Sequence, residues 1–317
     1  MATQYDAIII GAGISGMYQL YRLRQLGLSV QVYETGTGVG GTWYWNKYPG
    51  CRFDSESYTY GYSWSDEVLQ EWNWTERFAP QPETECYLNY VADKFDLRKD
   101  IQFNSCVTKA TYDEANNQWE IELEDGSKAR AEFLISATGP LNAFTLPRIP
   151  GIERFQGKWA HTARYPKGGF SGYGHNFSGQ RVGVIGTGAT GVQVIQEVAK
   201  TAETLTVFQL APEWCAPLKN GPLDKAEMDS IKANYKKIFE ECNQSFGAFH
   251  HMFDPRSALE VSPEEREAFF EKKYNEPGFG IWLGNFHDIM TSKAANDLIS
   301  AFIAKKIRQR VKDPKTA

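Results

Sequence analysis

Two stretches of this chain repeat one pattern, and the pattern leaves few folds open. Each has a β-branched run, a Gly-x-Gly-x-x-Gly turn, a helix-like run and a second short strand. The first runs from YDAIII (5–10) through Gly11-Ala12-Gly13-Ile14-Ser15-Gly16 to the strand at 29–33. The second runs from RVGVI through Gly186-Thr187-Gly188-Ala189-Thr190-Gly191 to TLTVF at 204–208. A glycine triplet alone is a weak signal. It gains weight when it follows a strand, opens a helix and leads to a parallel strand. Both copies read as βαβ units. The expected fold is α/β, with two Rossmann-like dinucleotide-binding domains.

Each glycine in such a turn has its own reason. The first permits the sharp reversal, the second lets a pyrophosphate approach, and the third lets the helix lie close on the sheet. The helix N-terminus then offers N–H groups and partial positive charge to phosphates. Glu34 ends the second strand of the first unit, eighteen residues after Gly16. That is where a carboxylate would hold ribose hydroxyls. In the second unit Gln209 stands there instead, followed by Leu210, and the nearest downstream cation is Lys219. Lack of an acid permits a 2′-phosphate, and lack of an adjacent cation gives it no partner. Two fingerprints imply two dinucleotides. The usual chemistry of such a pair is hydride transfer from nicotinamide to flavin.

Composition narrows the function classes. The formal net charge of the 317 residues is −5, which opposes a nucleic-acid binder. The aromatic share of 14% is too rich for a disordered chain and suits apolar pockets. Five scattered cysteines contain no CxxC pair, so a metal site is not expected, and they read as reduced thiols of a cytoplasmic protein. The first apolar run ends at Gly11 rather than extending into a signal segment. No stretch approaches the roughly 20 apolar residues of a membrane span.

Between the fingerprints, 36–54 is a Gly- and Trp-rich loop too particular to be a bare connector. A helix is expected over 83–96, and strands over 101–103, 106–112, 118–123 and 129–135, with turns at Asn116-Asn117 and Asp125-Gly126. Residues beyond about 224 read as polar helices, best at 224–242, 263–274 and 292–311.

These motifs resemble the type I Baeyer–Villiger monooxygenases over about residues 5–212. Gly40-Gly41-Thr42-Trp43 followed by Tyr48-Pro49-Gly50 and Asp54 is similar to that family's flavin-side loop. Phe155, Gly157, His161 and Tyr165 fall on the linker fingerprint FxGxxxHxxxW, and Ala137-Thr138-Gly139 on its ATG strand end. The resemblance implies a division into 1–145 (FAD domain, N-terminal portion), 146–180 (linker), 181–222 (NADP domain, N-terminal portion) and 223–317 (helical insertion). It implies reduction of FAD by NADPH, a C4a-peroxyflavin formed with O2, and oxygen insertion beside a ketone carbonyl to give an ester or lactone. The cofactor residues so implied are Gly11, Gly13, Gly16, Glu34, Gly41, Thr42, Trp43, Asp54, Tyr60, Gly186, Thr187, Gly188, Ala189, Thr190, Gly191 and Gln193. Asp54 is the implied catalytic residue, pairing with an arginine expected after Ala317.

There are departures. Tyr165 replaces the linker tryptophan, as in flavin-containing monooxygenases acting on nitrogen or sulfur, which remain an alternative. Leu210 replaces the arginine that binds the 2′-phosphate. The chain reads as the N-terminal part of such an enzyme, so a cofactor-binding fragment without oxygenation activity is a second alternative. Open apolar surface and poor stability alone are expected of it, with few partners for the helices after 224. His161 suits a structural hinge in the linker better than a general base. Lys47 and Arg52 could meet cofactor phosphates or the other domain, or stay solvated. Trp43 could lie along the flavin or pack in the core, and His250-His251 reads as surface. The Trp43-Tyr44-Trp45 and Tyr48 cluster lacks the basic groove of a base-stacking platform.

Overall fold

The computed structural model describes residues 3–170 and 175–313. In chain order it contains β1 (Thr3–Ile10), α1 (Ile14–Gln25), β2 (Val30–Tyr33), α2 (Thr42–Trp45), α3 (Ser57–Tyr60), α4 (Asp66–Glu71) and α5 (Gln81–Lys94). There follow β3 (Ile101–Gln102), β4 (Val107–Asp113), β5 (Gln118–Leu123), β6 (Lys128–Ser136), β7 (Arg181–Ile185), α6 (Ala189–Val198) and β8 (Thr204–Phe208). The chain ends in α7 (Lys225–Gln244), α8 (Pro263–Asn275), α9 (Gly280–Leu283) and α10 (Lys293–Arg310). Every strand and long helix expected from the sequence is present, within a few residues at each end. The one-turn helices α2, α3, α4 and α9 were not foreseen, since four to six residues leave no periodicity to read.

Two compact units divide the chain. The first comprises 1–51, 81–184 and 189–207; the second comprises 52–80, 185–188 and 208–317. The first unit is built on a six-stranded sheet in the order β3-β2-β1-β6-β5-β4. β1 pairs in parallel with both β2 and β6, while β6, β5 and β4 form an antiparallel meander. β1 is central because Ala7, Ile8 and Ile9 are fully buried, as an apolar run in a parallel sheet should be. α1 returns the chain to β2 and stops at Gly27, whose φ of +78° suits a helix C′ position. The expected turns hold too: Asn117 has φ +50° and Gly126 φ +82°. Part of this unit's surface is apolar and open, with Phe133, Leu141, Phe155 and Trp159 each more than half exposed. β7 pairs with β8 in a separate two-stranded sheet.

The second unit corrects the expectation of unpartnered helices. α8, α9 and α10, with the turns before them, build their own core around Phe270, Ile281, Phe286, Ile289, Ile299 and Phe302. Asp224, Ser262 and Ser292 each accept a backbone N–H at the N-caps of α7, α8 and α10, and Pro263 opens α8. Segment 52–80 joins this unit through main-chain bonds from Arg77 to Gly221 and from Leu223 to Thr75, at 3.0 and 2.9 Å. The Arg77 guanidinium also grips Glu227 with two nitrogens. His251 is a further correction. It is largely buried rather than on the surface, because Nε2 lies 2.8 Å from Oε1 of buried Glu56. His250 pairs with Glu241 at 2.6 Å.

Among the described residues, no helix is long and apolar enough to cross a membrane, and no group of His, Cys, Asp or Glu is placed to hold a metal ion. Phe286 is fully buried among Phe269, Phe270 and the Arg256 guanidinium. Phe286→Ala should therefore cost about 3–5 kcal/mol in urea unfolding of this unit. Asp254 adds a pH dependence. Hydrogen bonds from Arg256 lower its pKa from 3.8 to about 2. A folded-state pKa below the unfolded one stabilises above the unfolded value and is lost as pH falls through the folded value. The melting temperature should drop between pH 4 and 2, and Asp254→Asn should flatten that drop.

Candidate functional site

The first fingerprint is a turn that only glycine fits. Gly11 has φ +102°, and its N–H donates to the Tyr33 carbonyl at 2.8 Å. A Cβ on Gly11 would lie 2.7 Å from the Ala137 carbonyl oxygen. A Cβ on Gly16 would overlap the Gly11 carbonyl oxygen, so α1 begins directly on the turn. Ala137, first residue of the ATG strand end, is held there by its N–H bond to Ile10 at 2.9 Å. No acidic side chain stands in the first turn of α1, and Gly13 caps it without a side chain. The helix start therefore presents its dipole to an anion unopposed.

Glu34 is buried at 5% exposure and belongs to this turn. Its Oε2 accepts the Ala12 N–H at 2.8 Å and its Oε1 the Gly36 N–H at 2.7 Å. Each carboxylate oxygen has a second lone pair, so both retain capacity for a ribose hydroxyl.

The glycine- and tryptophan-rich loop seats itself on the same turn. The Gly40 N–H donates to the Ala12 carbonyl at 3.0 Å. A Cβ on Gly41 would come within 2.9 Å of the Gly13 Cα. The Tyr44 ring fills the space beside Gly36 and Gly38, and its hydroxyl bonds Thr37. Thr42 opens α2, and Trp43 is buried with its carbonyl accepting from Gln81 Nε2. Lys47 is engaged by Glu85 at 2.7 Å and lies over the Tyr44 ring. Its charge is thus neutralised within the loop's own support rather than turned to a phosphate.

The second fingerprint repeats the turn and omits the packing. Gly186 has φ +100°, and its N–H donates to the Phe208 carbonyl at 2.9 Å, matching Gly11 and Tyr33. Gln209 thus stands where Glu34 does, with its amide nitrogen 3.2 Å from Thr187 Oγ1. Among the described residues, a Cβ on Gly186 or Gly188 would meet nothing within 4 Å. Ala189, Thr190, Gly191 and Gln193 form the start of α6, again without a first-turn acid. Leu210 is fully exposed. Lys219 lies near Asn275 and the Tyr274 ring.

In the linker, His161 Nδ1 accepts the Ala163 N–H at 3.1 Å, and its ring stacks on Phe144 at 4.5 Å. Burial, and then the charge of Arg164, hold its pKa below the usual histidine range. The His161 ring thus caps the short turn at 162–164. Arg164 lies over the Trp45 ring at 4.4 Å, tying the linker to α2. The Phe155 ring covers Gly157, and Tyr165 packs against Phe170 and His175.

In the second unit, Arg52 pairs with Glu76 at 3.0 Å and donates to the Phe78 carbonyl. Asp54 is half-buried, and Tyr60 stacks on Phe53 at 4.3 Å. Sequence reasoning missed the contacts of Ala12 and Gln81 with Glu34, Gly40 and Trp43, which no local motif announces.

Residues 5–217 match the model of the flavin-binding monooxygenase-like family. The chain belongs to this family. It is 49% identical over 98% of its length to 2-oxo-Δ3-4,5,5-trimethylcyclopentenylacetyl-CoA monooxygenase of Pseudomonas putida, covering 57% of that protein. It is 41% identical over its whole length to a Baeyer–Villiger monooxygenase of Pseudooceanicola batsensis, again covering 57%. A crystal structure of OTEMO in complex with FAD and NADP superposes with a TM-score of 0.95 at 49% identity, over 98% of this chain and 59% of that one. The chain thus spans somewhat more than half the length of these family members.

The contrast between the two turns gives a prediction. Gly16→Ala should prevent α1 from seating and abolish soluble, cooperatively melting protein. Gly188→Ala should leave the melting temperature within a degree or two. If it weakens NADP+ binding by about tenfold or more, the missing side chain is space for a ligand.

Proposed function

We propose that this chain supplies the FAD and NADPH sites of a Baeyer–Villiger monooxygenase, which converts a small-molecule ketone and O2 into an ester or lactone. The observation that carries the reading is the first turn, with Gly11 and Gly16 sterically enforced, Gly13 between them and Glu34 latched beside them. That cradle fits an adenine dinucleotide. The proposed division keeps the FAD domain at 1–145, the linker at 146–180, the NADP domain at 181–222 and the helical insertion at 223–317.

The residues take the following parts. Gly11, Gly13 and Gly16 admit the FAD pyrophosphate, and Glu34 holds its ribose. Gly41, Thr42 and Trp43 line the flavin side, with Tyr60 nearby in sequence. Gly186, Thr187, Gly188, Ala189, Thr190, Gly191 and Gln193 receive the nicotinamide dinucleotide. Gln209 permits NADPH, while exposed Leu210 gives its 2′-phosphate no cation. Asp54 holds an arginine over the flavin by charge pairing and so sets the protonation available there. Phe155, Gly157, His161 and Tyr165 shape the linker. FAD held there would, with electrons from NADPH, activate O2 for insertion of one of its oxygen atoms, the other leaving as water. The net charge of −5 argues against a nucleic-acid partner, and the reduced cysteines favour a cytoplasmic location.

An anaerobic NADPH titration of the FAD-loaded chain tests this. Bleaching of the flavin band at stoichiometric NADPH is expected. A retained band that NADPH leaves unbleached would remove the hydride-transfer part, and no flavin surviving desalting would remove the cofactor reading for this chain. In the whole protein, Asp54→Ala should lower ester formation from a cyclic ketone at least about tenfold, with flavin content unchanged. Turnover of amines or sulfides without ester formation would favour the nitrogen- or sulfur-oxidising alternative.

A further inference from the structure

The loop segment 36–51 is seated at both ends on elements of the first unit, and all the contacts involved lie within that unit. One end sits on the first turn, through Gly40 to Ala12 and Gly41 against Gly13. The other end sits on α6, the helix that the second fingerprint opens. There the Tyr48 hydroxyl donates to Gln193 Oε1 at 3.0 Å. Gly50, at φ +79°, meets the helix so closely that a Cβ would lie 2.8 Å from the Gln193 carbonyl oxygen and 2.9 Å from Glu197 Cγ. Tyr48 and Cys51 are both buried.

The two ends are tied together. The Gln81 N–H donates to the Cys51 carbonyl at 2.8 Å, and its side-chain amide donates to the Trp43 carbonyl. Gln81 is itself only 5% exposed and also bonds Glu85, which holds Lys47. One buried amide thus braces both halves of the loop. The Gly50 backbone has no room to absorb a movement of α6 toward it, and the Tyr48 bond resists a movement away.

We propose that Tyr48 and Gly50 are positioning residues that couple the two dinucleotide turns. A nucleotide drawn onto the start of α6 biases the helix. Gln193 passes that bias to Tyr48 and Gly50, and the braced loop delivers it to Gly41 and the first turn. The proposal rests on the reading that the chain binds two dinucleotides. It gives the Tyr-Pro-Gly spacing a physical reason, since a side chain at 50 would collide with the helix.

Coupling between two sites is reciprocal and is measured as a ratio of affinities. The experiment is calorimetric titration of the 317-residue chain with NADP+, before and after loading with FAD. The wild type should bind NADP+ about five- to tenfold more tightly with FAD present, the scale of one or two directed contacts. Tyr48→Phe keeps the ring and its packing. It should bring the ratio to within twofold of unity while leaving NADP+ affinity without FAD within twofold of the wild type. Gly50→Ala should act in the same direction. A purely structural role would lower the melting temperature and leave the ratio intact. A wild-type ratio in Tyr48→Phe, or a wild-type ratio of one, overturns the proposal while the two-cofactor reading stands. Failure of the wild type to bind either dinucleotide overturns both.

Discussion

The close seating of α1 on its own turn is the constraint from which the first unit follows. Gly16 has no side chain, so the helix starts against the Gly11 carbonyl, and Gly11 in turn abuts the Ala137 carbonyl. This brings the end of β6, distant in sequence, onto the turn that joins the end of β1 to the start of α1. Glu34 then arrives from the end of β2 and fastens Ala12 and Gly36. A buried carboxylate is expensive unless it is bonded, and here both oxygens accept main-chain N–H groups. Its desolvation cost is offset by the same contacts that shape the turn.

The second fingerprint shows that equal sequence need not mean equal surroundings. Its first glycine has the same backbone angle, within 2°, and makes the same bond to the end of the following strand. Around it no atom of the described chain would crowd an added side chain. The βαβ pattern therefore specifies the turn, and the neighbouring strands specify how tightly it is enclosed.

The local rules explain which features were readable in advance. The strands of the first unit announce themselves through β-branched and alternating runs. The Gly40-Gly41-Thr42-Trp43 and Tyr48-Pro49-Gly50 motifs drew attention to the loop that the structure seats on the first turn and on α6. What stayed hidden depends on partners far away in sequence. His251 looks like half of an exposed pair until Glu56, nearly two hundred positions earlier, is placed beside it. Gln81 looks like an ordinary first-turn residue until its amide is seen reaching Trp43. The helices after 224 carry weak amphipathic patterns, so the core that Phe270, Phe286 and Phe302 build together was not apparent from any one of them. The short helices within 42–71 were invisible for a different reason, since a single turn follows from tertiary contacts rather than from propensity.

The difference between Glu34 and Gln209 reaches beyond the shape of either turn. They occupy matching places, one fixed and anionic, the other a neutral amide. A nucleotide with an extra phosphate on its adenosine ribose would meet a fixed negative charge at the first turn and none at the second. Charge at a single matched position would therefore sort two similar molecules between two similar clefts, and neither cofactor would compete for the other's seat.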